Sequence, residues 1–159
     1  MEQRRRQTVI LKKIFAIATA SILCIASGSA MAASEVIGRV KTLQGEVSIN
    51  GASGSRAAEA GSVVRRGDTL VTGSDGSVGV TFRDDSRTSL GPNSEMQMTE
   101  FKFDPARQEY SFVSKMFRGT MLFVSGLISK LSPETAQVET PTATLGIRGT
   151  RFLLQVDGE

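Results

Sequence analysis

The sequence predicts an all-β domain, a compact β-sandwich or short β-solenoid of short strands, lying after an N-terminal signal peptide. Three observations predict it. From Gly67 to Ser94, turn clusters rich in Gly, Asp, Asn and Ser separate short apolar or β-branched runs. Val78, Val80 and Phe82 alternate with Ser77, Gly79 and Thr81, the period of two that marks a half-buried strand. Near the other end, Phe152, Leu154 and Val156 alternate in the same way.

The first 32 residues read as an export signal rather than as part of the fold. Arg4, Arg5, Arg6, Lys12 and Lys13 make a basic head, Ile14 to Gly28 is apolar or small, and Ala30-Met31-Ala32 is an A-x-A cleavage pattern. Cleavage is expected after Ala32, which leaves residues 33–159 as one exported domain. If uncleaved, the same apolar run approaches the length of a membrane anchor, the one membrane contact the sequence predicts. The single cysteine, Cys24, follows Leu23, which is not the small residue a lipidation site requires. With Cys24 in the signal, the mature chain has no disulfide, so its stability must come from packing.

Charge and composition exclude several classes of function. Residues 1–32 hold five of the 19 Lys+Arg and one of the 16 Asp+Glu, so the mature chain carries 14 against 15, or −1. The basic character belongs to the signal, no run of positive residues remains to grip phosphates, and no nucleic-acid partner is expected. The sequence has no histidine. That removes Ser-His-Asp and Cys-His catalysis and every histidine zinc site, and the cysteine count removes the others. Neither G-x-S-x-G nor S-x-x-K occurs, EF-hand spacing is absent, and no cofactor is expected.

In chain order, Val36 to Lys41 and Gly45 to Asn50 read as strands joined around Leu43-Gln44-Gly45. Asn50 to Ala60 reads as a surface loop, and Gly61 to Arg66 as a short strand. Thr69–Thr72, the run around Val80 and the residues after Ser86 form three strands. Met96 and Met98 sit at even positions, Phe101 and Phe103 at odd ones. Either a bulge near Thr99-Glu100 reconciles the two sets, or two stacked sheets take one set each. The methionines read as core filler, with a ligand-binding strip as the alternative. Asp104 to Gln108 is a turn, Tyr110 to Met116 a strand, Arg118-Gly119 a second turn, and Thr120 to Val124 a further strand. Gly126 to Leu131 fits one helical turn, and Thr140 to Thr144 reads as extended.

Four residues stand out as a binding or structural motif: Asp68, Arg148, Gly149 and Thr150. Asp68 closes the Arg66-Gly67-Asp68 turn, where Gly and Asp are wanted for turn geometry alone. Gly149 is expected to supply a backbone angle other residues resist. Arg148 lies among apolar neighbours, so its guanidinium either meets a carboxylate within the sheet layer or reaches an open groove.

Four segments resemble the FecR domain family. They are Gly67 to Gly73, Val80-Thr81-Phe82-Arg83-Asp84-Asp85-Ser86, Leu90-Gly91-Pro92-Asn93-Ser94, and Thr140-Pro141 with Gly146-Ile147-Arg148-Gly149-Thr150-Arg151-Phe152. The resemblance covers most of residues 36–156. It implies an all-β domain on the periplasmic side of a bacterial inner membrane. In iron-transport regulators, similar proteins relay the state of an outer-membrane receptor to a cytoplasmic sigma factor. Those regulators carry a sigma-binding segment before their membrane span, whereas only residues 1–13 precede the apolar run here. The family usually has Gly where this chain has Asp85, so the turn there is expected to differ in type. The chain also ends soon after the Arg-Gly-Thr strand, so the final strands of the family domain are expected to be missing or supplied by another chain.

These readings converge on a periplasmic binding module, engaging an envelope protein or ligand in cell-envelope signalling, with an exposed sheet edge as the docking surface. The alternative is a module that binds cell wall or polysaccharide, which would need exposed aromatics. An enzyme is disfavoured, because Asp84-Asp85 reads as a pair of turn residues with diverging side chains.

Overall fold

The computed structural model describes residues 35–149 and 151–158. The signal peptide over 1–32 and Thr150 fall outside the described residues. The strands are β1 (Val36–Gln44), β2 (Val47–Gly51), β3 (Gly54–Ala57), β4 (Val63–Arg65), β5 (Thr69–Thr72) and β6 (Ser77–Phe82). They continue as β7 (Arg87–Leu90), β8 (Glu95–Asp104) and β9 (Glu109–Val124), then β10 (Ala136–Glu139), β11 (Thr144–Gly146) and β12 (Arg151–Val156). Between β9 and β10 lie one helical turn, α1 (Ile128–Leu131), and a 3-10 turn over Pro133–Thr135. The fold is all-β, as expected. It is a curled, largely antiparallel sheet whose strand order is β3-β2-β5-β8-β9-β7-β6-β1-β4.

The long strand β9 joins two wings. Its first half pairs with β8, and its second half with β7, so β7 and β8 run end to end along one edge of it. The other edge takes β10, in parallel, beside Phe112–Lys115 and β12, antiparallel, beside Gly119–Val124. β11 pairs only with β10.

Arg118-Gly119, read from the sequence as a turn, is instead a bend inside this strand. Inward residues are even before it (Phe112, Ser114, Met116) and odd after it (Met121, Phe123). The parity switch needs a local break in the pleat, and Gly119 supplies it at φ 91°. A side chain at Gly119 would collide with Ser94. The Ser94 hydroxyl accepts the Thr120 N–H at 3.0 Å and can donate to the Thr120 carbonyl at 3.3 Å.

A second switch lies in β8. The register slips between Met98 and Glu100, so Met96, Met98 and Phe101 all reach the core, with Phe103 packed against it. The bulge expected near Thr99-Glu100 is therefore what reconciles the two apolar sets. One core fills the inside of the curl. Phe82, Phe101, Phe112, Phe123 and Phe152 form a chain of ring contacts with centroids 5.0–6.2 Å apart. Met96, Met98, Met116 and Met121 fill the gaps between them and are fully buried.

Two other expectations change. The segment 50–60 is not wholly loop, because Gly54–Ala57 turns back as β3 and pairs with β2. Thr140 to Thr144 is not extended. The Thr140 N–H reaches the Ala143 carbonyl at 2.7 Å, and its hydroxyl accepts the Ala143 N–H at 3.0 Å, so the segment is the turn of the β10–β11 hairpin. Through that hydroxyl the Thr140 side chain helps to close the turn.

Candidate functional site

The acidic residues at the motif turns hold the fold. Asp68 is 2% exposed. Its Oδ2 accepts the Arg65 N–H at 3.0 Å and an Arg56 guanidinium N–H at 3.2 Å, and Arg56 also donates to the Val63 carbonyl at 2.8 Å. Asp68 therefore pins β3 to the β4–β5 turn. Asp84 is fully buried, and Asp85 is exposed, so the pair diverges as turn residues do. Asp84 Oδ1 accepts the Ser86 N–H at 3.1 Å and the Ser86 hydroxyl at 2.6 Å, and Oδ2 accepts the Ile128 N–H at 3.3 Å. The carboxylate thus fastens the β6–β7 turn to the start of α1, where orphan N–H groups are expected. Asp85 takes φ 64°, the left-handed position after a type I turn where the family usually places glycine.

The arginine motif has the opposite character. Arg148 is exposed, and among the described residues no carboxylate or carbonyl pairs with its guanidinium. Of the two outcomes open from the sequence, it takes the groove. Gly149 has φ 152°, and its carbonyl accepts the Ser125 hydroxyl, which ties the loop before β12 to the end of β9. The structure does not bring Asp68 and Arg148 together as one site: Asp68 is enclosed at the β4–β5 turn, and Arg148 lies in the loop between β11 and β12.

Beside Arg148 runs a groove in two stretches, ≈ 540 Å³ and ≈ 320 Å³, both lined by Leu145 of β11 and Leu154 of β12. The first lies over Phe117, where the ends of β10 and β12 converge on β9, and the second holds Arg148, Arg151 and Phe152. Consecutive residues of β12 line it, from both faces of the strand, so it follows the strand's edge. Among the described residues β11 and β12 each have a single strand partner, which leaves one edge of each without a ladder there. Sequence reasoning named a groove only as one outcome for Arg148 and did not find its walls, because they come from a hairpin and from one edge of a later strand.

Residues 68–159 match the family model described as FecR protein. The chain belongs to the FecR family. The match begins at Asp68, so the FecR-matched span holds β5 to β12, and β1 to β4 complete both wings from outside it. No curated protein matches the chain. A solved structure titled a cell surface anchoring domain is similar at 31% identity over 38% of this chain and 82% of its own, with a TM-score of 0.37, too low to establish a shared fold.

Proposed function

We propose that this FecR-family chain is an exported binding module of the cell envelope, acting in signalling by capturing a protein or ligand in the groove between β11 and β12. The observation that supports this most directly is Arg148: a guanidinium at the mouth of an apolar groove, with no internal partner among the described residues. An arginine there is suited to a carboxylate on an incoming chain, and the free edge of β12 to its backbone. The periplasm is the proposed location, with residues 1–32 as the cleaved signal. Among the described residues, no helix is long and apolar enough to cross a membrane.

Recognition of sugars by ring stacking is the weaker reading, since among the described residues no aromatic side chain is exposed.

The test is a photo-crosslinking residue at Leu145, expressed in cells with the native signal. A discrete adduct with one envelope component is expected, lost on Arg148→Glu and absent when the crosslinker replaces Lys130. Equal labelling from positions 145 and 130 would end the reading.

A further inference from the structure

The outer face of the β6 wing has a charge pattern unlike the rest of the molecule. Strand register places Arg151, Val124, Arg87, Thr81, Arg39 and Val63 in one row across β12, β9, β7, β6, β1 and β4. Three arginines therefore lie two strands apart, roughly 10 Å at an interstrand spacing of about 4.8 Å. Lys41, the bulge residue of β1, adds a fourth cation. Among the described residues none of the four pairs with a carboxylate, and Arg39 donates to the Gly61 carbonyl at 3.3 Å. The outward strand positions of this wing hold no Asp or Glu, and the nearest acids, Glu35, Asp85 and Asp157, stand at its rim. On the other wing cations and carboxylates stand side by side, Arg118 with Glu95 at 3.2 Å and Lys102 with Glu109 at 2.8 Å, while Lys115 lies over the Phe117 ring. This face therefore carries a row of cations with no acid among them, in a chain whose residues 33–159 hold 14 Lys+Arg against 15 Asp+Glu.

The next row of the same face is small and hydroxylated. Gly79 leaves a hollow of ≈ 400 Å³, with Thr42, Thr81 and Ser89 around it and Lys41 and Arg87 on either side. Cations would meet carboxylates, and the hydroxyls would meet hydroxyls. Leu122, Val124 and the exposed Leu153 supply the apolar strip between Arg87 and Arg151 on which C–H faces of sugar rings could lie.

We infer that this face binds a linear acidic polysaccharide, laid across the strands with its carboxylates on Arg39, Arg87 and Arg151 and a hydroxyl-bearing ring over Gly79. Residues 39, 87 and 151 are far apart in sequence, and only strand pairing aligns them. A lipid surface fits less well, because the hollow is ringed by the hydroxyls of Thr42, Thr81 and Ser89 and, on this face, Leu153 alone projects strongly. The row meets the groove at Arg151, which lines both, but Arg148 is not in the row.

The experiment measures binding of the secreted chain to immobilised polygalacturonate, neutral dextran, single-stranded DNA and vesicles containing anionic lipid. Binding to polygalacturonate alone is expected, weakening as salt rises. Arg39→Gln and Arg87→Gln should each weaken it roughly fivefold, and the double variant more than tenfold. Gly79→Val should weaken it at unchanged charge, and Arg148→Glu should leave it intact while abolishing the Leu145 crosslink. Equal binding to dextran, tighter binding to DNA or vesicles, or an undiminished double variant would each overturn the inference. Far-UV circular dichroism identifies any variant that fails to fold; the charge test then rests on Arg87→Gln, whose side chain is exposed.

Discussion

Asp84 and Asp85 are chemically identical neighbours with opposite tasks. Asp84 is enclosed, and three donors converge on its carboxylate; truncation would leave the Ser86 and Ile128 N–H groups without their acceptor. Asp84→Ala is therefore expected to cost about 2–3 kcal/mol in urea unfolding, and a loss within error of zero would show that the carboxylate is not a fastener. Asp85 makes no such contacts and holds φ 64°. Asp85→Gly relieves the left-handed strain and should gain about 0.5 kcal/mol, visible as a raised melting temperature; a lowered one would show that Asp stabilises this turn better than Gly. The two roles were partly legible in the sequence. The Asp-Asp-Ser turn was clear, but the partner that buries Asp84 comes from Ile128, and no local pattern announces a contact of that span.

Among the elements, β9 decides the architecture. A strand of 16 residues that keeps one pleat would bury the same face throughout and pair one sheet. The break at Gly119 lets its two halves serve two wings. Gly119→Ala forces a side chain into Ser94 at a backbone angle that L-residues resist, so a loss of about 3 kcal/mol is expected. Ser94→Gly in that background should recover only part of it, because the hydroxyl and Cβ are removed but the Ser94 Cα, 2.5 Å from the added methyl, stays. Full stability of Gly119→Ala would mean the bend survives without glycine. The glycine itself was visible as punctuation, but a turn and a bulge both use a left-handed glycine, and only the neighbouring pairings tell them apart. By contrast, the β8 bulge was legible, because two methionines and two phenylalanines of opposite parity admit few ways to be buried together.

At the scale of the molecule, both wings share one core through β9, and unfolding should be a single cooperative transition. Tyr110 sits beside Phe103 at one end of the β2 side, with ring centroids 5.9 Å apart. Its emission is usable because the chain has no tryptophan of its own. A Leu153→Trp variant would report on β12. Urea transitions followed at Tyr110 in the parent chain and at position 153 in the variant should coincide with far-UV circular dichroism of each protein. Separated midpoints within one protein would show the wings to be independent. Mass spectrometry of the secreted chain should find Ala33 as the first residue; retention of 1–32 would make the apolar run an anchor instead.

Sequence alone determined the class of fold, the turn positions from Gly67 to Ser94 and the strands between them. It did so because alternation and turn chemistry act over a few residues. It also determined that histidine chemistry is closed to the chain and that a single cysteine cannot form an internal disulfide, which follows from counting. Tertiary structure decided which carboxylates are consumed internally, that Arg148 faces a groove, and that arginines 39, 87 and 151 share one row. Burial and adjacency across strands depend on pairings between residues far apart in the chain, and those are fixed only when the whole core closes.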